Sequence, residues 1–161
     1  MDNSFAKFSA MMRKFDTVFE VIARYKELPH TYSTETLLYP AEIHILSDIH
    51  QGIDTVTELA EHNYKSKSAM SQIISRLYKK NMILKCPNKS NQREVFLSLT
   101  QKGETAYHYH KDISEAMYRQ VMDKGGELSA EEIELINHFL ESLDAVYKEM
   151  LKTAGASVES H

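Results

Sequence analysis

The chain has 161 residues, 42% hydrophobic and 26% charged, with a formal net charge of −4. That is the makeup of one globular domain with helical extensions, long enough to bury a core unaided. No apolar run approaches ~18 residues, which excludes a transmembrane helix; the first ten residues lack an apolar stretch and carry Asp2, which argues against a secretory leader; and the single cysteine, Cys86, excludes an intrachain disulfide. The expected location is the cytoplasm, with no membrane partner.

Residues 5–27 read as a long helix, because Phe8, Met12, Phe15, Phe19 and Ile22 recur at spacings of four and three. Pro29 stops it, and residues 28–39 read as irregular. Pro40 begins a second helix at a favoured first-turn position. It runs to about Gln51, with Ile43, Leu46 and Ile49 on one side and Gly52 closing its end. Thr55-Val56-Thr57-Glu58 fits a capping box for a third, short helix ending near Asn63. Ser66 caps a fourth, whose inner face is Met70, Ile73, Ile74 and Leu77 and whose left-handed end is Asn81. The period then falls towards two. Met82–Pro87 and Glu94–Thr100 read as strands of a hairpin joined by Asn88-Lys89-Ser90-Asn91-Gln92. Helix returns over 101–123 and is broken at Gly125-Gly126. A last helix starts at Ser129 with a stripe of Ile133, Ile136, Leu140, Leu143, Tyr147 and Met150.

The charge is not spread evenly. From Lys65 to Arg93 there are eight basic residues and no Asp or Glu, so 29 residues carry +8 and the other 132 carry −12. Such a segment attracts a polyanion locally while the rest of the surface repels it. Two short helices joined by a tight turn and followed by a basic hairpin are the order of a winged helix-turn-helix. The outward face of the fourth helix holds Ser68, Ser71, Gln72, Ser75 and Arg76, with Lys67 and Lys79 at the margins. Short donors and acceptors let a helix approach base edges in a major groove, Gln72 suiting adenine and Arg76 guanine. Backbone amides at the Ser66 end suit a phosphate. Lys89 and Arg93 on the hairpin suit the DNA backbone or a minor groove.

The fold class is therefore mainly α with a small β-hairpin wing: a winged helix-turn-helix with N- and C-terminal dimerisation helices. Residues 1–39 and 101–152 form the helical dimerisation region, 40–100 the DNA-binding region, and 153–161 a disordered tail. The long stripes at both chain ends are too apolar to leave wet, and a two-fold dimer suits two half-sites on double-stranded DNA.

Residues 42–126 resemble the MarR (multiple-antibiotic-resistance regulator) family. The resemblance rests on Thr57-Glu58-Leu59-Ala60, on Ser66 through Leu77, on Lys79-Lys80-Asn81-Met82-Ile83, on Arg93, and on Leu99-Thr100-Gln101-Lys102-Gly103. It implies a homodimer on a palindromic operator, usually a repressor released by a small ligand. The family's wing reads Asp-Arg-Arg where this chain has Asn91, Gln92 and Arg93, so the minor-groove contact carries over to Arg93 alone. The family's glycine at the end of the reading helix is Asn81 here.

The resemblance also suggests a pocket for an aromatic or phenolic ligand, drawn from the tyrosines with Met12, Phe19, Tyr39, His44, Tyr107 and His110 as its candidate lining. Metal-sensing members bind zinc near this junction, and His44 and His110 fall at matching places. Zinc wants about four ligands, and Ser114 stands where another histidine is needed, with Glu27 or His108 as substitutes. The reading is no metal and no cofactor, with His44 and His110 as the candidates otherwise. Cys86, after Lys85, reads as a half-buried strand residue rather than a redox sensor. No phosphate loop, nucleophile elbow, His-Glu-x-x-His motif or cysteine pair is present, which argues against an enzyme. The alternatives are a winged-helix adaptor that binds protein instead of DNA, and a zinc-responsive repressor.

Overall fold

A computed structural model describes residues 3–87 and 95–158. Its elements are α1 (Asn3–Lys26), α2 (Pro40–His50), α3 (Val56–His62), α4 (Lys67–Lys79), β1 (Ile83–Pro87), β2 (Val95–Leu99), α5 (Gln101–Gly125) and α6 (Ala130–Val158). The chain divides into two compact units, residues 1–114 and 115–161, with the boundary inside α5. No described helix is long and apolar enough to cross a membrane.

The core of the first unit is the winged helix. Ile43, Ile45, Leu46 and Ile49 of α2 meet Leu59 and Ala60 of α3, Met70, Ile73, Ile74 and Leu77 of α4, and Met82, Ile83 and Leu97 around the hairpin. β1 and β2 are antiparallel, with Ile83 opposite Leu99 and Lys85 opposite Leu97. An isolated bridge pairs Thr55 with Phe96, and the Leu97 amide donates to the Asp54 carbonyl at 2.8 Å. The segment before α3 is thus pinned to the wing, a contact the sequence pattern does not announce.

Three successive helices end in the same way. A Schellman closure needs one residue at positive φ, and bonds from the two amides that follow the cap run back to the last turn. After α2 that residue is Gly52, φ +94, with Ile53 N donating to Asp48 O. After α4 it is Asn81, φ +56, with Asn81 N donating to Tyr78 O and Met82 N to Leu77 O. Between them, in the helix-turn-helix itself, Tyr64 takes the position at φ +51 and Lys65 N donates to Ala60 O. Helix starts follow the expected caps: Glu58 N donates to Thr55 Oγ1, Ala69 N to Ser66 Oγ and Glu132 N to Ser129 Oγ.

Residues 28–39 are more ordered than the sequence suggests. His30 and Leu38 exchange two 2.8 Å backbone bonds, and the loop they close holds Tyr32 and Ser33 at positive φ. Tyr32 is 5% exposed, so the loop that these bonds close also buries a side chain.

No residue of α1 is buried. Phe5, Val18, Phe19 and Val21 are each more than half exposed. In the second unit the described residues are likewise exposed or half-buried, with Val121, Leu135, Val146, Met150 and Leu151 among the exposed apolar side chains. α6 continues to Val158, six residues past the end at 152 that the sequence suggests.

Candidate nucleic-acid interface

The reading helix is set by its inner face. Met70, Ile73, Ile74 and Leu77 are buried, which leaves Lys67, Ser68, Ser71, Gln72, Ser75, Arg76 and Lys79 exposed on the opposite side. Ser66 caps the N-terminus from an extended conformation, φ −66 and ψ 150, so one of the free amides there is already satisfied by its hydroxyl. All the α4 positions expected to face DNA do share one face. Lys89 and Arg93, the two expected wing contacts, lie outside the described residues. Lys85 on β1 places its ammonium 5.1 Å from the Tyr78 ring centroid.

Arg76 has a second engagement that sequence reasoning missed. Its Nε lies 3.4 Å from Oε1 of Glu42, a carboxylate only 1% exposed at the start of α2. The other oxygen, Oε2, accepts from Lys80 Nζ at 2.6 Å and from the Tyr39 amide at 2.9 Å. Lys80 also sits 5.9 Å from the Tyr39 ring centroid. The available signal was positional: an acid three residues after the helix cap is where a capping-box carboxylate stands.

The candidate ligand pocket does not come together as one site. His44 and His110 do meet, with ring centroids 5.3 Å apart, and Tyr32 packs edge-on against His110 at 5.5 Å. Tyr32 in turn meets His30 at 5.7 Å, and His30 meets Tyr25 at 5.2 Å. Desolvation lowers the pKa of both His44 and His110. Lys26 lowers His44 further, against a smaller opposing pull from Asp48, and His44 lowers His110. Burial, with a lesser push from Tyr25, raises the Tyr32 phenol to about 12. Tyr107 belongs elsewhere: it stacks on His50 at 3.9 Å, beside His108. Glu104 links that second group, 3.1 Å from His50 Nδ1 and 3.7 Å from His108 Nε2. Tyr39 is taken up by Lys80, and Phe19 packs on Phe15 along α1 at 5.5 Å. Met12 is half-buried on the same helix.

Among the described residues no group of three or more His, Cys, Asp or Glu is arranged to hold a metal ion. His108 and His110 diverge into the two groups, as their spacing of two on a helix requires. Cys86 is exposed on β1, not half-buried as its place in a strand suggested.

The profile of the MarR family matches residues 38–95. The chain is 27% identical over 99 residues to YvnA of Bacillus subtilis, an uncharacterized HTH-type transcriptional regulator, across 61% of this chain and 63% of that protein. It is 25% identical over 80 residues to the homoprotocatechuate degradative operon repressor of Escherichia coli, across 50% and 52%. The match thus spans less than two thirds of these relatives. In fold, it superposes on Streptococcus pneumoniae FabT, solved in complex with DNA, with a TM-score of 0.69 at 19% identity, over 89% of this chain and 99% of that one.

Proposed function

We propose, from the match of residues 38–95 to the MarR family, that this chain is a transcriptional regulator that binds double-stranded DNA in a sequence-specific way. It acts as a homodimer on a palindromic operator in the cytoplasm, as a repressor, and a small aromatic or phenolic ligand modulates it. The observation that carries the reading is the α4 face: seven exposed polar or basic side chains on a helix whose other face is locked in the core. A helix so presented fits a major groove, and the acid-free stretch from Lys65 to Arg93 supplies the phosphate attraction. The homodimer is supported by the large apolar side chains left exposed along α1 and α6, a pattern that marks interaction surfaces. The ligand is supported by the aromatic and imidazole rings gathered around His44, His110 and Tyr32.

The test is fluorescence anisotropy on the duplex upstream of the protein's own gene, over a range of salt concentrations, with random duplex alongside. Specific binding with a steep salt slope is expected. Gln72→Ala should weaken the specific duplex far more than the random one, whereas Arg93→Ala should weaken both. No binding at low salt would sink the DNA reading and favour a protein-binding adaptor.

A further inference from the structure

We propose that Glu42 is a specificity-determining positioning residue: from inside the protein it aims Arg76 of the reading helix at the DNA. The inference rests on the DNA-binding reading above and names a residue outside the face that would touch DNA.

The geometry is asymmetric. Glu42 Oε2 is well satisfied, by Lys80 and by the Tyr39 amide. Oε1 is buried and receives no aligned hydrogen bond among the described residues; its charged neighbour is Arg76 Nε at 3.4 Å. Lys80 already balances the carboxylate's charge from the Oε2 side, so what Arg76 supplies is the one cationic neighbour of Oε1, and moving it away would leave that buried oxygen facing no donor among the described residues. Arg76 nevertheless remains 53% exposed. The contact therefore fixes the inner part of the guanidinium while the outer part projects from the helix. A free arginine side chain must give up rotamer freedom to bind, and its planar fork reads guanine only when both donors are aligned. Holding it before DNA arrives moves that ordering into folding, so the gain falls on the duplex whose bases match the fixed fork. A freed Arg76 would swing to phosphates instead, which every duplex offers equally.

Charge is not what Glu42 adds to DNA binding, since a carboxylate repels DNA. If it merely sat near the interface, its removal would strengthen binding to all duplexes alike. If it aims Arg76, removal must cost specific binding while random binding holds or tightens.

The probe is a duplex selected from a random-sequence library by the wild-type full-length protein, compared with an unselected duplex. Glu42→Gln keeps the shape and an acceptor for the Tyr39 amide. The expected result is a fall of at least tenfold in the ratio of selected to unselected affinity, with a salt slope on unselected DNA steeper by about one as Arg76 gains a phosphate. Glu42→Asp, which keeps the charge but withdraws it from Arg76, should lower the ratio in the same direction, and decides the matter if Glu42→Gln does not fold. In an Arg76→Ala background neither substitution should change the ratio further. An unchanged ratio in the folded variant, or equal losses with and without Arg76, overturns the proposal. If Arg76→Ala itself leaves the ratio unchanged, Arg76 is no base reader and the premise has failed instead.

Discussion

Gly103 sits in the first turn of α5, and replacing it by alanine tests how that helix is seated on the winged helix. A Cβ at this position would lie 2.1 Å from the Met82 carbonyl oxygen and 3.1 Å from its carbon. Neither atom belongs to a side chain that can swing away. The Met82 carbonyl accepts from Thr100 N at 3.0 Å, and the Met82 amide closes α4 on Leu77. Relief therefore requires the first turn of α5 to retreat by about 1 Å, since real contacts stop near 3 Å. Overpacking of this kind costs about 1–3 kcal/mol, and a backbone clash belongs at the upper end. The better helix propensity of alanine returns about 1 kcal/mol. The net loss is about 2 kcal/mol, a fall in Tm of about 4–8 °C for a chain of this size. Gly125 is the control, because a Cβ there meets nothing within 4 Å, so Gly125→Ala at the end of the same helix should leave Tm unchanged or raise it through helix propensity. The assay is thermal unfolding followed by circular dichroism at fixed protein concentration. A Gly103→Ala protein that melts at or above the wild-type temperature would refute the packing argument, whatever its DNA affinity.

His44 and His110 are held below the usual imidazole pKa by desolvation, with Lys26 adding to the effect on His44 and His44 to that on His110. The unfolded chain then takes up protons first as pH falls, so stability is full above about 6.5 and drops as pH falls below it towards the depressed folded values. Because His44 is exposed and His110 half-buried, solvent screening keeps the loss to about 1 kcal/mol or less. Urea midpoints from pH 7.5 to 5 should decline, and more shallowly in His44→Gln/His110→Gln; identical slopes would remove these two groups as the cause. On α6, Leu140 is 40% exposed within the apolar stripe. Leu140→Glu should convert a dimer to monomer at micromolar concentration in sedimentation velocity, and a variant that still sediments as a dimer would take α6 out of the interface.

What could be read from the sequence depended on how local the determining interaction is. The caps at Thr55, Ser66 and Ser129, the end of α4 at Asn81 and the inner face of α4 involve residues a few positions apart, and side-chain chemistry alone specifies them. The long-range pairings left no such trace. Glu42 and Arg76 are 34 residues apart, and nothing in a charge pattern distinguishes a buried carboxylate from a solvated one. Tyr64 ends α3 at positive φ, although tyrosine carries no preference for that conformation, so residue type does not announce the closure that the Lys65 amide makes on Ala60 O. The same holds for the residues expected to line a ligand site, of which His44 and His110 meet while Tyr107 stacks on His50. Aromatic residue type does not decide whether Tyr107 turns to His50 or to His110.

The two kinds of determinant also divide the interface. Which side chains face outward on α4 follows from periodicity, because burial of Met70, Ile73, Ile74 and Leu77 leaves no other orientation. How firmly they are held does not. Ser68, Ser71 and Gln72 are short or unbranched and hang from the helix alone, whereas Arg76 is anchored to α2 through a buried carboxylate. A face that is uniform in sequence is therefore uneven in rigidity. If the face reads DNA as proposed, both Gln72 and Arg76 contribute base preference, and the preference under Arg76 should be the one that depends on α2, being lost in Glu42→Gln while that under Gln72 is kept.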